Sequence, residues 1–375
     1  MAQGYSLKDQ LFNAESLGQL GAEYAAGLPG FDGAGFTHQA LSGVPERTLM
    51  ACLDWFADCI EPHLSADFPV MAEQLQAMMP PPLDPDLRDD DFGRFIHAVP
   101  GILAVRHGLE HHRDRALDLI HAATQRFSME FSIRAFLNRW PEETLARMAV
   151  WAGDDNYHVR RLVSEGTRPK LPWGRGIALT PAQTLPLLDR LHGDPARFVT
   201  RSVANHLNDI SKTDTDAVLD RLRGWEKHGA QDPKELAWMA RHALRTRIKA
   251  GHAGAMAHLG YAAEADVDVQ LRLASDTVPM GERLRFDVVL QANSKLPVLV
   301  DYRIRFAGPG PDKKAGREKV FKLKAGEVQS GQPLVMSKAH VMKGGASTFA
   351  LHAGAHELVV QVNGVDRARV GFVLT

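Results

Sequence analysis

Cysteine is nearly missing from this sequence: Cys52 and Cys59 are the only two in 375 residues. They stand seven apart on one expected helix face, which excludes a disulfide framework and points to two buried thiols. Long apolar runs are missing too. No stretch reaches the roughly 18 uninterrupted apolar residues of a membrane helix, so no membrane partner is expected. The first residues, MAQGYSLKDQLFNAE, carry acids where a secretory leader needs a basic start and an apolar core. The cytoplasm is therefore the expected compartment. No G-x-S-x-G elbow, P-loop or dinucleotide fingerprint stands out, and no cofactor is expected.

An excess of one charge sign is absent as well, since the formal net charge is −1. That near-zero sum hides an asymmetry, because residues 1–130 carry 8 Lys+Arg against 19 Asp+Glu. Residues 131–261 carry 20 against 14, and residues 262–375 carry 16 against 12. Polyanion binding depends on local charge, so a neutral total leaves a nucleic-acid partner open.

What is present is a long helical pattern followed by an alternating one. Residues 6–80 read as amphipathic helices, with Leu49, Leu53, Phe56 and Ile60 on one face. The run MMPPPLDPDLRDDD, residues 78–91, breaks helix and is expected as a surface loop. Helical patterning resumes at Phe92 and continues to about Tyr261. Within it, Asp154 to Val163 lies over Asp194 to Val203 at an offset of 40, and Val199, Arg201 and Val203 fall on Met239, Arg241 and Ala243. Asp114, Leu119 and Ala123 suggest a weaker copy before these. Each unit is preceded by a helix, at 142–152, 181–192 and 215–227. Asp194 and Asp232 read as N-caps followed by Pro, and Asp232 with Glu235 as a capping box. A helix pair every 40 residues is the HEAT period, which implies an α-solenoid over residues 1–262. From about Asp266, seven short alternating runs separated by turn residues imply an immunoglobulin-like sandwich over 263–375. Asn363-Gly364 is expected as a hairpin turn.

The candidate chemistry lies in the helical part. On the helix expected after Pro195, the apolar stripe is Val199, Val203, Leu207 and Ile210, with Arg197, Arg201, Asn205 and Asn208 opposite and Asp209 flanking them. Stacked repeats would align Arg161, Arg201 and Arg241, a spacing suited to successive phosphates; the alternative is a solvated, salt-bridged face. The loop TRPKLPWG, residues 167–174, is stiffened by Pro169 and Pro172 and presents Arg168, Lys170 and Trp173. Trp173 either presses on a sugar or base or packs between helices. Glu130 reads alone as a cap or as the partner of Arg134, four residues on. His107-Gly108-Leu109-Glu110-His111 matches a zinc-peptidase pattern, but it is short, contains a helix-weakening glycine and lacks a second ligand helix. No metal is expected.

SMEFSIRAFL, WAGDDNYHVRRLVSEGTRPKLPW and SVANHLNDISK, with SLKDQLFN and KAHV…HAGAHELVVQVNG, resemble the AlkC branch of the AlkC/AlkD DNA glycosylases that carry an appended immunoglobulin-like domain. The resemblance spans nearly the whole chain. It implies a HEAT-like base-excision-repair enzyme acting on alkylated double-stranded DNA. That enzyme would remove cationic N3-methylated bases, 3-methyladenine and 3-methylcytosine, without flipping them. It further implies Asp209 as the first and Glu130 as the second catalytic carboxylate, with Phe131 packed beside the nucleotide. Trp173 would contact the lesion sugar. Arg160, Arg161, Arg168, Lys170, Arg201, Asn205, Lys212, Arg241 and Arg245 would contact DNA. Met129 departs from the family, which has a small residue there, and the HHRDR segment has no family counterpart. In the sandwich, Lys313, Lys314, Arg317 and Lys319 and the run MKGGAS are the expected DNA contacts, or ordinary polar loops. A monomer is expected. The rival readings are a non-catalytic HEAT scaffold that binds nucleic acid or protein, and a metal-dependent hydrolase built on His107 and His111.

Overall fold

The computed structural model describes residues 6–89, 91–308, 317–343 and 350–375. Helices fill the first part of the chain: α1 Leu7–Leu11, α2 Ala14–Gly27, α3 Gly33–Ser42, α4 Leu49–Ile60, α5 Phe68–Ala77, α6 Val99–Leu103, α7 Arg113–Thr124 and α8 Glu130–Arg139. They continue as α9 Pro141–Trp151, α10 Tyr157–Gly166, α11 Pro181–Leu191, α12 Arg197–Ser211, α13 Thr215–His228, α14 Pro233–Lys249 and α15 Ala253–His258. Among the described residues no helix is long and apolar enough to cross a membrane.

The helices start where local chemistry supplies a cap. Asn13 and Ser16 form a reciprocal capping box on α2, and the Thr48 and Asn156 side chains accept the first free N–H groups of α4 and α10. Cys52 and Cys59 are buried thiols on α4, and burial pushes Cys59 up to about 11. Helices α9, α11 and α13 match the three expected first helices of each pair to within a residue or two. Asp232 accepts from the Glu235 and Lys234 N–H groups, as a cap should. Asp194 does not cap α12: it accepts from Ala196 N and grips Arg160, so the helix begins at Arg197, two residues beyond Pro195.

The described residues of segment 78–94 form no helix, as its prolines dictate, but several are tied down. Leu83 N donates to Gln125 O, Phe198 N donates to Arg88 O, and Phe92 meets Phe198 edge-on with ring centroids 5.1 Å apart. It thus supplies an acceptor to an orphan N–H at the start of α12.

The chain divides into two compact units, Met1–Thr213 with Arg221–Ala243 and Asp214–Asp220 with Leu244–Thr375. This division falls earlier than the expected 262/263 boundary. Inside the second unit the segment after α14 is fastened to the sandwich, because Asn363 Nδ2 donates to Ala262 O and Arg367 to Ala263 O and Ala265 O.

The strands are β1 Asp268–Leu273, β2 Thr277–Val278, β3 Arg283–Gln291, β4 Leu296–Arg305, β5 Glu318–Val328, β6 Leu334–Val341, β7 Gly354–Val362 and β8 Val365–Leu374. They form a three-stranded sheet, β1-β3-β6, and a five-stranded sheet, β2-β8-β7-β4-β5. Seven are the expected runs; β2 is a two-residue addition paired with β8 in parallel. On β3, Leu284, Phe286 and Val288 point into the core while Arg283, Arg285 and Asp287 face out, the period-two pattern of a half-buried strand. The β7–β8 turn has φ of 51° at Asn363 and 81° at Gly364, as an Asn-Gly hairpin requires. Lys313, Lys314 and residues 344–347 of MKGGAS lie outside the described residues; Arg317 is exposed and Lys319 lies in β5.

Candidate active site

Helices α8, α10 and α12 bring together side chains that are distant in sequence. Glu130 opens α8, Arg161 and Glu165 lie one turn apart on α10, Arg168 follows it, and Asp209 lies in the last, buried turn of α12. Glycine at 166 permits this approach, since a Cβ there would stand 2.6 Å from Cγ2 of Ile133 on α8.

The result is an alternating row of charges. Arg161 Nη1 stands 3.1 Å from Glu130 Oε2, and its Nη2 lies 3.7 Å from Glu165 Oε2. Arg168 Nη1 donates to Glu165 Oε1 at 2.6 Å, and its Nη2 lies 2.9 Å from Asp209 Oδ2. Lys212 Nζ closes the row on Asp209 Oδ1 at 2.8 Å. Three carboxylates thus face three cations. Removing one member would strand its neighbours in a region where Glu165 and Asp209 are nearly sealed from solvent.

The carboxylates are not equivalent. Burial raises the pKa of Glu130, which Arg161 opposes and the like charge on Glu165 reinforces. Burial acts the same way on Glu165, but Arg161, Arg168 and the Ser202 hydroxyl outweigh it and hold Glu165 below the usual range. Both oxygens of Asp209 are taken by cations. Glu130 differs, because Ser128 Oγ at 2.8 Å and Arg161 both reach Oε2, and no hydrogen bond among the described residues ends on Oε1.

The neighbours of Glu130 in sequence, Ser128, Met129, Phe131 and Ser132, line a cleft of about 510 Å³ together with Met50, Leu53, Ile102, Trp173 and Arg175 among others; Glu130 itself is not among its lining residues. Trp173 is 61% exposed, which sets aside the reading of a packing tryptophan. It occupies the third position of a turn closed by Gly174 N donating to Leu171 O, with Pro172 before it and φ of 60°. That pattern favours glycine or asparagine, so the indole is displayed at a cost in backbone strain. Arg134 holds the loop. Expected as a partner of Glu130, it instead sends its fully buried guanidinium to three carbonyls: Gly166 O at 3.1 Å, Arg168 O at 2.8 Å and Arg175 O at 2.5 Å. A five-donor group can satisfy several carbonyls at once, which a single carboxylate could not use.

Several expected DNA contacts are engaged elsewhere. Arg160 clamps Asp194 and the carbonyls of Asp154 and Asp155. Arg161 is largely enclosed, paired with two carboxylates and lying 4.4 Å over the Phe198 ring. Arg168 is buried between Glu165 and Asp209. Arg201 pairs with Asp89 from the 78–94 segment. The repeat-equivalent arginines 161, 201 and 241 therefore occupy three different environments rather than one exposed row; only Arg241 is exposed. The polar face expected on α12 is mostly interior, because α10 and α14 cover it. Asn208 donates to Ala243 O, Asn205 meets His242, and Asp209 is 8% exposed. Lys170, Lys212, Arg241 and Arg245 are exposed. His107 is paired with Glu61 and Glu110 with Arg139, so the H-x-x-E-H donors do not converge.

Sequence reasoning missed Glu165, Ser202 and Arg175. Glu165 left a signal, standing four residues after Arg161 and three before Arg168, the spacings at which helix side chains meet.

A helical chain with an embedded row of paired charges, followed by a two-sheet sandwich, defines a class shared with known proteins. Residues 268–375 match the family model described as the C-terminal Ig-like domain of the uncharacterised protein YhaZ. The YhaZ protein of Bacillus subtilis (strain 168) is 32% identical over 268 residues, which are 70% of this chain and 72% of that protein. The structure of Pseudomonas fluorescens alkylpurine DNA glycosylase AlkC, bound to DNA containing an abasic-site analogue, matches with a TM-score of 0.84 and 32% identity, over 99% of this chain and all of that one. The chain belongs to the AlkC family.

Proposed function

We propose that this protein is a monofunctional DNA glycosylase that releases cationic N3-alkylated bases, 3-methyladenine and 3-methylcytosine, from duplex DNA without flipping them. The observation that carries this reading is Glu130, whose Oε1 accepts no hydrogen bond among the described residues and whose sequence neighbours Met129 and Phe131 line an open cleft with the displayed Trp173. A base that already bears positive charge leaves with the bonding pair and becomes neutral, so no strong general acid is needed. The sugar left behind is oxocarbenium-like, and nearby negative charge stabilises it. Glu130 accepts the proton of the water that adds to C1′, which suits a carboxyl whose pKa is raised. Asp209 and Glu165 add fixed negative potential, and Trp173 with Phe131 lies against the sugar. Lys170, Lys212, Arg241 and Arg245 remain as phosphate contacts, while Arg160, Arg161 and Arg168 act within the protein. The test is incubation of the wild-type protein with methylated duplex and chromatography of the released bases. Release of 3-methyladenine with strands left uncut is expected. Duplex binding with a steep salt dependence and no release would return the scaffold reading.

A further inference from the structure

Behind the central carboxylate of the row lies a buried pair of hydroxyls. Ser202 on α12 is 2% exposed, and its Oγ lies 2.6 Å from Glu165 Oε2 and 3.0 Å from Oγ of the fully buried Ser164 on α10. A serine hydroxyl has one hydrogen. The shorter contact is to the charged acceptor, so Ser202 donates to Glu165 and accepts from Ser164, and each bond polarises the next. Alanine would fill nearly the same buried space, so the hydroxyl's bonds to Glu165 and Ser164 are what distinguish serine there.

We infer that Ser202 is a positioning residue: its hydroxyl fixes Glu165 Oε2, and Glu165 in turn holds Arg161 against Glu130 and Arg168 against Asp209. This rests on the glycosylase reading. The charged and titratable groups facing Glu165 are Arg161 and Arg168 from its own segment, Glu130 and Arg134 from α8, and Asp209 and His206 from α12. His206 is held neutral, with burial and Arg168 lowering its pKa to about 4 against the Ser164 carbonyl, so it cannot replace the lost donor with a charge near neutral pH. Without the hydroxyl, Glu165 takes up a proton at higher pH. Its grip on both guanidiniums then weakens as pH falls through that new value. The sign follows from a depressed carboxyl: the stabilising form exists above its pKa and is lost below it.

The experiment measures single-turnover base release against pH for wild type, Ser202→Ala, Ser202→Thr, Glu165→Gln and the double variant Ser202→Ala/Glu165→Gln. Ser202→Ala is expected to slow release about ten- to a hundredfold near neutral pH, as loss of a hydrogen bond to a charged group would. It is also expected to move the titration of the Glu165 carboxyl, read by infrared, up by about one pH unit. Ser202→Thr should restore most of both, and Ser202→Ala should cost nothing further once Glu165 is Gln. An unmoved Glu165 titration, or the same loss in the Gln background, overturns the inference. Infrared titration of the Glu165 carboxyl, identified by its disappearance in Glu165→Gln, reads the same bond without activity. If wild type releases no base, the glycosylase reading fails, whereas an unshifted Glu165 titration in Ser202→Ala would separately overturn the role of Ser202.

Discussion

The helical part and the sandwich treat buried charge in opposite ways. Between α8, α10 and α12, charged groups leave water only in combination: Glu165 with two arginines, Asp209 with Arg168 and Lys212, Arg134 with three carbonyls. In the sandwich the buried interior is built from apolar residues such as Phe286, Val300, Tyr302 and Val360. Its buried acid, Asp301, is raised by burial to about 6, only partly offset by Lys322 and Lys249. Burying an ion costs several kcal/mol unless partners compensate. The sandwich keeps its core stable by admitting few charges, whereas the helical part accepts the expense where a cleft opens. On the proposed reading, that difference places the chemistry in the helical part.

Removing a compensating partner should have the largest effect. Arg134→Met keeps most of the volume but strands three carbonyls, and should destabilise the fold by about 3 kcal/mol, read from denaturant melts. A loss under about 1 kcal/mol would mean that the loop is not held by Arg134. In the sandwich the opposite sign is expected. Asp301 has a folded pKa above its unfolded value, so it favours the fold when protonated and that contribution is lost as pH rises through about 6. Asp301→Asn should therefore match wild type below about pH 4, where the unfolded carboxyl is also protonated, and exceed it at pH 8 by about 1 kcal/mol, allowing for its partial solvation. A stability difference that does not change with pH would break this half of the comparison.

The two described non-glycine residues with positive φ divide in the same way. Asn363 earns its place through its side chain, which accepts from Leu299 N and donates to Ala262 O and Pro297 O. Trp173 makes no such bond and is mostly exposed. Asn363→Gly should lose about 1 kcal/mol, while Trp173→Gly should gain about 0.5 kcal/mol and lose base release. Thermal melts of both variants check the signs, and a destabilised Trp173→Gly would show that the indole serves packing after all.

Much of this was legible in the sequence because it depends on short-range pattern. Period-two runs such as RLRFDVVLQ located the strands, and Pro and Asp marked the helix starts. Residues that face a neighbouring helix were misread as solvent-facing. Asn208 and Asp209 look polar on an isolated α12, yet α10 and α14 cover them. The pairing of Arg201 with Asp89 spans 112 positions and has no local signature. Trp173 stands out in its Pro-bounded loop and Glu130 in an apolar helix, while the family resemblance supplies their expected roles; their geometry, a carboxylate with one oxygen unbonded among the described residues and an indole on a strained turn, depends on tertiary placement.

The most direct measurement of the central claim is single-turnover release of 3-methyladenine from a methylated duplex by wild type, Glu130→Gln and Asp209→Asn, with duplex affinity measured in parallel. Loss of a positioned carboxylate should slow release by about a hundredfold or more in Glu130→Gln at unchanged affinity. The wild-type acidic limb should lie above the ordinary carboxylate range, because Glu130 must be ionised to act. Wild-type release by both variants would contradict the assignment of chemistry to this row of carboxylates.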